Sequence, residues 1–136
     1  MPKKPASQFT LQPISPRDMN GQGRRGGEWL TLDKQGRLAL SAEYRQRLGI
    51  KGIGGIPVYI AVDPAQMVIA IVKQDVTRTV ANAASLRVNR DGYVYGRAVF
   101  AKLALERANG PYRFEYLGPI DHDGTRWDGF RLAQLV

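Results

Sequence analysis

Leucines alternate with other residues at Leu30 and Leu32, the pattern pauses at Asp33-Lys34-Gln35-Gly36, and it resumes at Leu38 and Leu40. This predicts a β-hairpin with one apolar face. Ser41 stands where it can cap a short helix. Ala42, Tyr44 and Leu48 then fall on one side of that helix, and Gly49 can end it in the left-handed conformation. After the glycine-rich loop Lys51–Gly55, the runs 57–62 and 67–72 are apolar at successive positions around the turn Asp63–Gln66. Strands of that kind are expected to be buried on both faces, in a closed barrel or sandwich.

The same order returns further along. Leu86 to Asn89 and Tyr93 to Gly96 read as a second hairpin over Arg90-Asp91-Gly92. Ala98 to Arg107 reads as a helix, and Tyr112 to Leu117 and Arg126 to Ala133 read as strands around Asp121–Gly124. Slid against itself at a shift of 56, the chain superposes Leu30 on Leu86, Leu32 on Val88, Gly36 on Gly92, Leu38 on Val94 and Tyr44 on Phe100. In the later part a shift of 55 superposes Gly55 on Gly110, Tyr59 on Phe114, Val62 on Leu117 and Pro64 on Pro119. We read this as an internal duplication. The expected organisation is an N-terminal arm (1–28), a first repeat (29–73), a linker (74–84) and a second repeat (85–136), the repeats sharing one barrel. The arm, framed by Pro2, Pro5, Pro13 and Pro16 and then by Gly21, Gly23, Gly26 and Gly27, carries no helix or strand pattern and is expected to be flexible.

Charge adds a partner to this picture. Lys and Arg number 20 against 12 Asp and Glu, a net charge of +8, spread as +3, +3 and +2 over residues 1–28, 29–73 and 74–136. A small basic protein most often meets a polyanion, because neutralising phosphates releases condensed counterions. Lys34, Arg37, Arg45 and Arg47 lie on the expected wet side of the first hairpin and helix. Arg87, Arg90, Arg97 and Lys102 hold comparable places in the second copy, and Arg24 and Arg25 precede the first strand. These ten form the candidate DNA-binding set, arginine being permanently charged and bidentate toward guanine or phosphate.

Hairpin, capped helix and Leu48-Gly49-Ile50, with Asp33-x-x-Gly36-Arg37 at the turn and Arg45 on the helix, resemble the AbrB/MazE/SpoVT family of swapped-hairpin DNA-binding domains. The resemblance implies a mainly β fold with short helices, a swapped-hairpin (AbrB-like) β-barrel built from two tandem ββαββ repeats. It also implies basic side chains of hairpin and helix directed at double-stranded DNA, in a transcriptional or nucleoid-type regulator. This chain departs from the family's pattern at Ser41, where proline is usual. In the second copy Gly92-Tyr93 replaces Gly-Arg, and Ala101 replaces the helix arginine, which implies unequal roles for the copies.

Most enzyme plans lack their residues. There is no cysteine, so disulfides, thiolate zinc sites and Cys nucleophiles are excluded; the one histidine leaves little for His-based metal or acid/base chemistry, and no cofactor is expected. Lys51–Gly55 matches no phosphate-binding fingerprint. Asp121-His122-Asp123-Gly124 lacks the further ligands of a calcium loop and reads as a turn. Trp29, Trp127 and Phe130 are expected in the core or an interface. No run is long enough to span a membrane and no secretory signal opens the chain, so a cytoplasmic, nucleoid-associated protein is expected. A homodimer remains open. The alternative function is a protein-interaction module, antitoxin-like or modulating an enzyme, that uses Phe9, Leu11 and Ile14 of the arm.

Overall fold

The computed structural model describes residues 10–12, 27–74 and 83–135. Arg24 and Arg25, most of the arm and most of the linker lie outside the described residues. The elements run β1 (Trp29–Leu32), β2 (Arg37–Leu40), α1 (Ala42–Leu48), β3 (Ile56–Asp63), β4 (Val68–Lys73), β5 (Ser85–Val88), β6 (Tyr93–Tyr95), α2 (Arg97–Leu103), β7 (Tyr112–His122) and β8 (Thr125–Leu135), with a 3-10 turn at Arg107–Asn109. All eight strands belong to one antiparallel sheet in the order β5-β3-β4-β8-β7-β1-β2-β6. The two end strands, β5 and β6, are joined by one tight turn, so the sheet is a nearly closed barrel. No helix among the described residues is long and apolar enough to cross a membrane.

Inside the barrel the alternating leucines do what their spacing requires. Leu30, Leu32, Leu38 and Val88 are fully buried, and Leu40 and Val94 nearly so, around Tyr44, Phe114 and Phe130. Ser41 begins α1 with three bonds. Its Oγ accepts from the backbone N–H of Trp29 (3.1 Å) and Tyr44 (3.4 Å) and donates to the Gly27 carbonyl (2.7 Å). Gly49 ends the helix at φ 74°.

The outer faces of β3 and β4 are also apolar, and the barrel interior cannot cover them. The β7–β8 hairpin covers them instead. Its Trp127 and Ile120 pack with Tyr59, Ala61, Ala70, Val72 and Ala83 in a second cluster outside the barrel. The hairpin bends to reach it, with register shifts between Arg113 and Phe114 and between Tyr116 and Gly118. Gly129 makes room for the bend: a Cβ there would stand 2.5 Å from Ile120 Cδ1. Of the aromatics expected in the core or an interface, Trp127 and Phe130 are buried, whereas Trp29 lies half-buried under the Arg113 guanidinium, 4.2 Å from its carbon.

Three expectations are corrected. The strand expected over 112–117 runs to His122, because its far half belongs to the covering hairpin. The helix expected to reach Arg107 ends at Leu103. Ala104 turns it off at φ 56°, which returns Leu105 to the core edge instead of carrying it away on the next helical turn. The shift of 55 gives way to 56. Phe114 pairs with Leu30 across β1–β7 and Val58 pairs with Leu86 across β3–β5, which makes Val58, not Tyr59, the counterpart of Phe114. A one-residue slip exchanges the two faces of a strand. Val58 and Phe114 face the barrel, while Tyr59 belongs to the outer cluster.

Candidate nucleic-acid interface

The two hairpin turns are built alike. Asp33 Oδ1 accepts from the backbone N–H of Gln35 (2.9 Å) and Arg37 (3.0 Å), and Asn89 Oδ1 accepts from those of Asp91 and Tyr93 (both 3.0 Å). An Asx side chain thereby tightens each turn. Gly36 and Gly92 close them at φ 86° and 88°, a conformation that L side chains avoid.

Strands β2 and β6 then bring the turns into one frame. They pair antiparallel with Leu38 opposite Val94, the two positions that the shift of 56 superposes. Two further bonds extend the pairing equally on both sides, from Gly96 N–H to the Gly36 carbonyl (2.9 Å) and from Leu40 N–H to the Gly92 carbonyl (2.8 Å). The turns therefore sit at opposite ends of a two-stranded ribbon, separated by four residue steps or about 13 Å. Leu38 and Val94 face inward, so Arg37, Ala39, Tyr93 and Tyr95 face out.

Cations gather at both ends. At the first turn Lys34 is exposed, the Arg97 side chain lies across Gly36, and Arg107 Nε donates to the Lys34 carbonyl (3.0 Å). Between Arg97 and Arg107 runs an open groove of about 610 Å³ floored by Phe100, Ala101 and Leu105. At the second turn Arg90 is exposed, and Arg45 lies across Gly92 with its Nε donating to the Leu40 carbonyl (3.1 Å). Each turn is thus covered by an arginine from the other half of the chain. On the ribbon itself the Arg37 guanidinium stands 4.4 Å above the Tyr93 ring and pairs with Asp33 Oδ2 (2.8 Å), while Tyr95 is 58% exposed. Partial burial pushes the Asp33 carboxyl up, but hydrogen bonds from the backbone and side chain of Arg37 more than offset this and hold it below its ordinary range.

The remaining candidates are placed differently. Arg87 is exposed on β5 and its Nη1 donates to the Gly55 carbonyl (2.7 Å); Lys102 is exposed on α2. Arg47 does not join the turns. It binds Glu28 through Nε (2.8 Å) and Nη2 (2.9 Å), reaches Asp128 at 3.3 Å, and stands over the rings of Tyr44 and Tyr116. The Tyr44 hydroxyl donates to the same Asp128 (2.8 Å), and burial, reinforced by that carboxylate, pushes the phenol far above its usual range. Arg47 thus ties α1 to β1 and β8, and two carboxylates offset its charge.

Arg107 is outside the candidate set although it touches the first turn. The shift of 56 carries Lys51, another exposed cation, onto Arg107, and that correspondence is the one sequence signal that points to it. Among the described residues no group of three or more His, Asp or Glu side chains is arranged to hold a metal ion. Asp121–Gly124 is the tip of the β7–β8 hairpin, where Asp121 pairs with Arg126 (3.1 Å).

No protein-family model, no curated protein and no solved structure matches the chain. The resemblance to swapped-hairpin domains therefore rests on the motif residues of the sequence.

Proposed function

We propose that this protein binds double-stranded DNA with the outward face of the β2–β6 ribbon and its two flanking turns, and that it acts as a transcriptional or nucleoid-type regulator. The observation that carries the reading is the pairing of β2 with β6 about Leu38 and Val94. It sets two turns of identical hydrogen bonding, each bearing exposed cations, about 13 Å apart. The B-form major groove is about 12 Å wide and admits a two-stranded ribbon, with phosphates along both rims. Lys34 and Arg107 at one end and Arg90 and Lys51 at the other meet phosphate; Arg37 and Tyr95 between them meet base edges.

The strand exchange supports the swapped-hairpin interpretation. The first strand of each half pairs with the third strand of the other, β1 with β7 and β5 with β3, in the same register after a shift of 56. On this reading the two tandem ββαββ copies close in one chain the barrel that two separate subunits would otherwise form. Arg97 and Arg45, each crossing from one copy to the turn of the other, make both interface ends depend on that closure.

Fluorescence anisotropy with a labelled mixed-sequence duplex tests the function. Binding that weakens steeply with salt is expected, and weak binding without a salt slope refutes it.

A further inference from the structure

The two ends of the ribbon share cations but not side-chain chemistry. Under the shift of 56, Lys34 corresponds to Arg90 and Lys51 to Arg107, so exposed positive charge stands at both ends. Between them the correspondence fails. Arg37 answers to Tyr93, Ala39 to Tyr95 and Ser41 to Arg97. The differences are structural as well as chemical: Arg37 lies on Tyr93, Tyr95 protrudes beside it, and buried Ser41 sits where the other half has the exposed Arg97.

From this difference, and resting on the DNA reading above, we propose that the protein recognises a non-palindromic duplex site in a single fixed orientation, with the turn 33–36 always over one flank and the turn 89–92 over the other. The physical argument separates positioning from readout. Contacts to phosphate place a protein on the duplex and carry no sequence information, whereas contacts to base edges specify it. The four cations assigned to phosphate, Lys34, Arg90, Lys51 and Arg107, are preserved across the two-fold relation, so these four accommodate the backbone of either orientation equally. The outward residues of the ribbon are not preserved. Arg37 presents a bidentate donor to guanine, and its counterpart Tyr93 presents none. Turning the complex around would bring Tyr93 to the bases that Arg37 had held. A homodimer of one repeat has no such polarity, because both of its ends carry the same side chains. Here one polypeptide fixes which end is which, and Arg37, Tyr93 and Tyr95 are the specificity-determining residues.

The absence of cysteine allows a direct test. Gln35→Cys and Asp91→Cys each introduce one thiol at an exposed position whose side chain takes no part in the turn, since only the backbone N–H groups of these residues bind Asp33 and Asn89. Each full-length variant is labelled with a thiol-tethered iron chelate and bound to a duplex selected by the unmodified protein from a random-core pool. The cleaved positions are then mapped on both strands. The expected result is that each variant cuts one flank, that the two variants cut opposite flanks, and that inverting the core within fixed ends inverts both patterns. The bias expected is roughly five-fold or more, the discrimination of one well-placed arginine against a wrong base. Arg37→Ala in the labelled background should reduce the bias while duplex retention through the turns persists. Equal cutting of both flanks by each variant, or a selected core that is palindromic, overturns the proposal although the protein binds DNA. Failure of the unmodified protein to retain any duplex at low salt overturns the DNA reading together with it.

Discussion

On the proposed function, the salt dependence of binding to DNA follows from which cations are free to meet phosphate. Arg37 and Arg47 stand in the same basic stretch of sequence as Lys34, but Asp33 pairs with the first, and Glu28 and Asp128 pair with the second. Lys34, Arg90 and Arg107 are exposed at the ribbon ends, Lys51 is exposed on the loop whose Gly54 lies against Arg90, and none of the four forms an ion pair among the described residues. Four phosphate contacts give a slope of log K against log salt of about −3.6, so affinity should fall about 50-fold between roughly 0.1 and 0.3 M. Replacing Lys34 and Arg90 together by alanine should halve the slope to about −1.8 and reduce the fall over that range to about 7-fold. Arg47→Gln should leave the slope unchanged and lower the melting temperature instead, because it opens the link between α1, β1 and β8. Anisotropy titrations at a series of KCl concentrations read the slope, and thermal denaturation followed by circular dichroism reads the stability. A slope that responds to Arg47→Gln as strongly as to the double variant would refute the assignment of free and committed cations.

Three further outcomes bear on the fold. Trp127→Ala removes the centre of the cluster outside the barrel and should cost about 3 to 5 kcal/mol in urea denaturation; a loss below about 1 kcal/mol would mean that the β7–β8 hairpin does not hold the outer faces of β3 and β4. Ala104→Gly relieves a left-handed residue at the end of α2 and should add about 1 kcal/mol in the same assay. Asp33→Asn should preserve the turn, since Asn89 makes the same two backbone bonds, while removing a pH dependence. The carboxyl is held below its ordinary value of 3.8, so its stabilisation is complete above that pH and is lost as pH falls through the depressed folded value. Acid titration of the two proteins should show wild-type stability falling more steeply in that window, and equal profiles would count against the Asp33–Arg37 pair.

Much of the candidate site is legible locally. The turns at Asp33–Gly36 and Asn89–Gly92, the cap at Ser41 and the stop at Gly49 follow from residues within a few positions of one another. Of the ten basic candidates, Lys34, Arg37, Arg45, Arg90 and Arg97 meet at the ribbon. Arg47 is inseparable from them by sequence, because its carboxylates come from Glu28 and Asp128, the one just before β1 and the other on β8. Arg107 escapes a local reading for the same reason, since its partner at Lys34 is 73 residues away.

Sequence alone determined the periodicities, the turn chemistry and the recurrence of the hairpin at a shift of 56, because these follow from steric and hydrogen-bonding preferences of near neighbours. It also required the runs 57–62 and 67–72 to be covered on both faces, without naming the cover. Tertiary structure decided the rest. The pairing of Leu30 with Phe114 and Leu86 with Val58 chose 56 over 55, because only that register turns Val58 and Phe114 inward. The demand of Tyr59 and Val72 for an apolar partner extended β7 to His122 and brought Trp127 over them. Which cations face solvent and which face carboxylates was settled by strand order, since charge pairing acts over ångströms of space and is blind to separation along the chain.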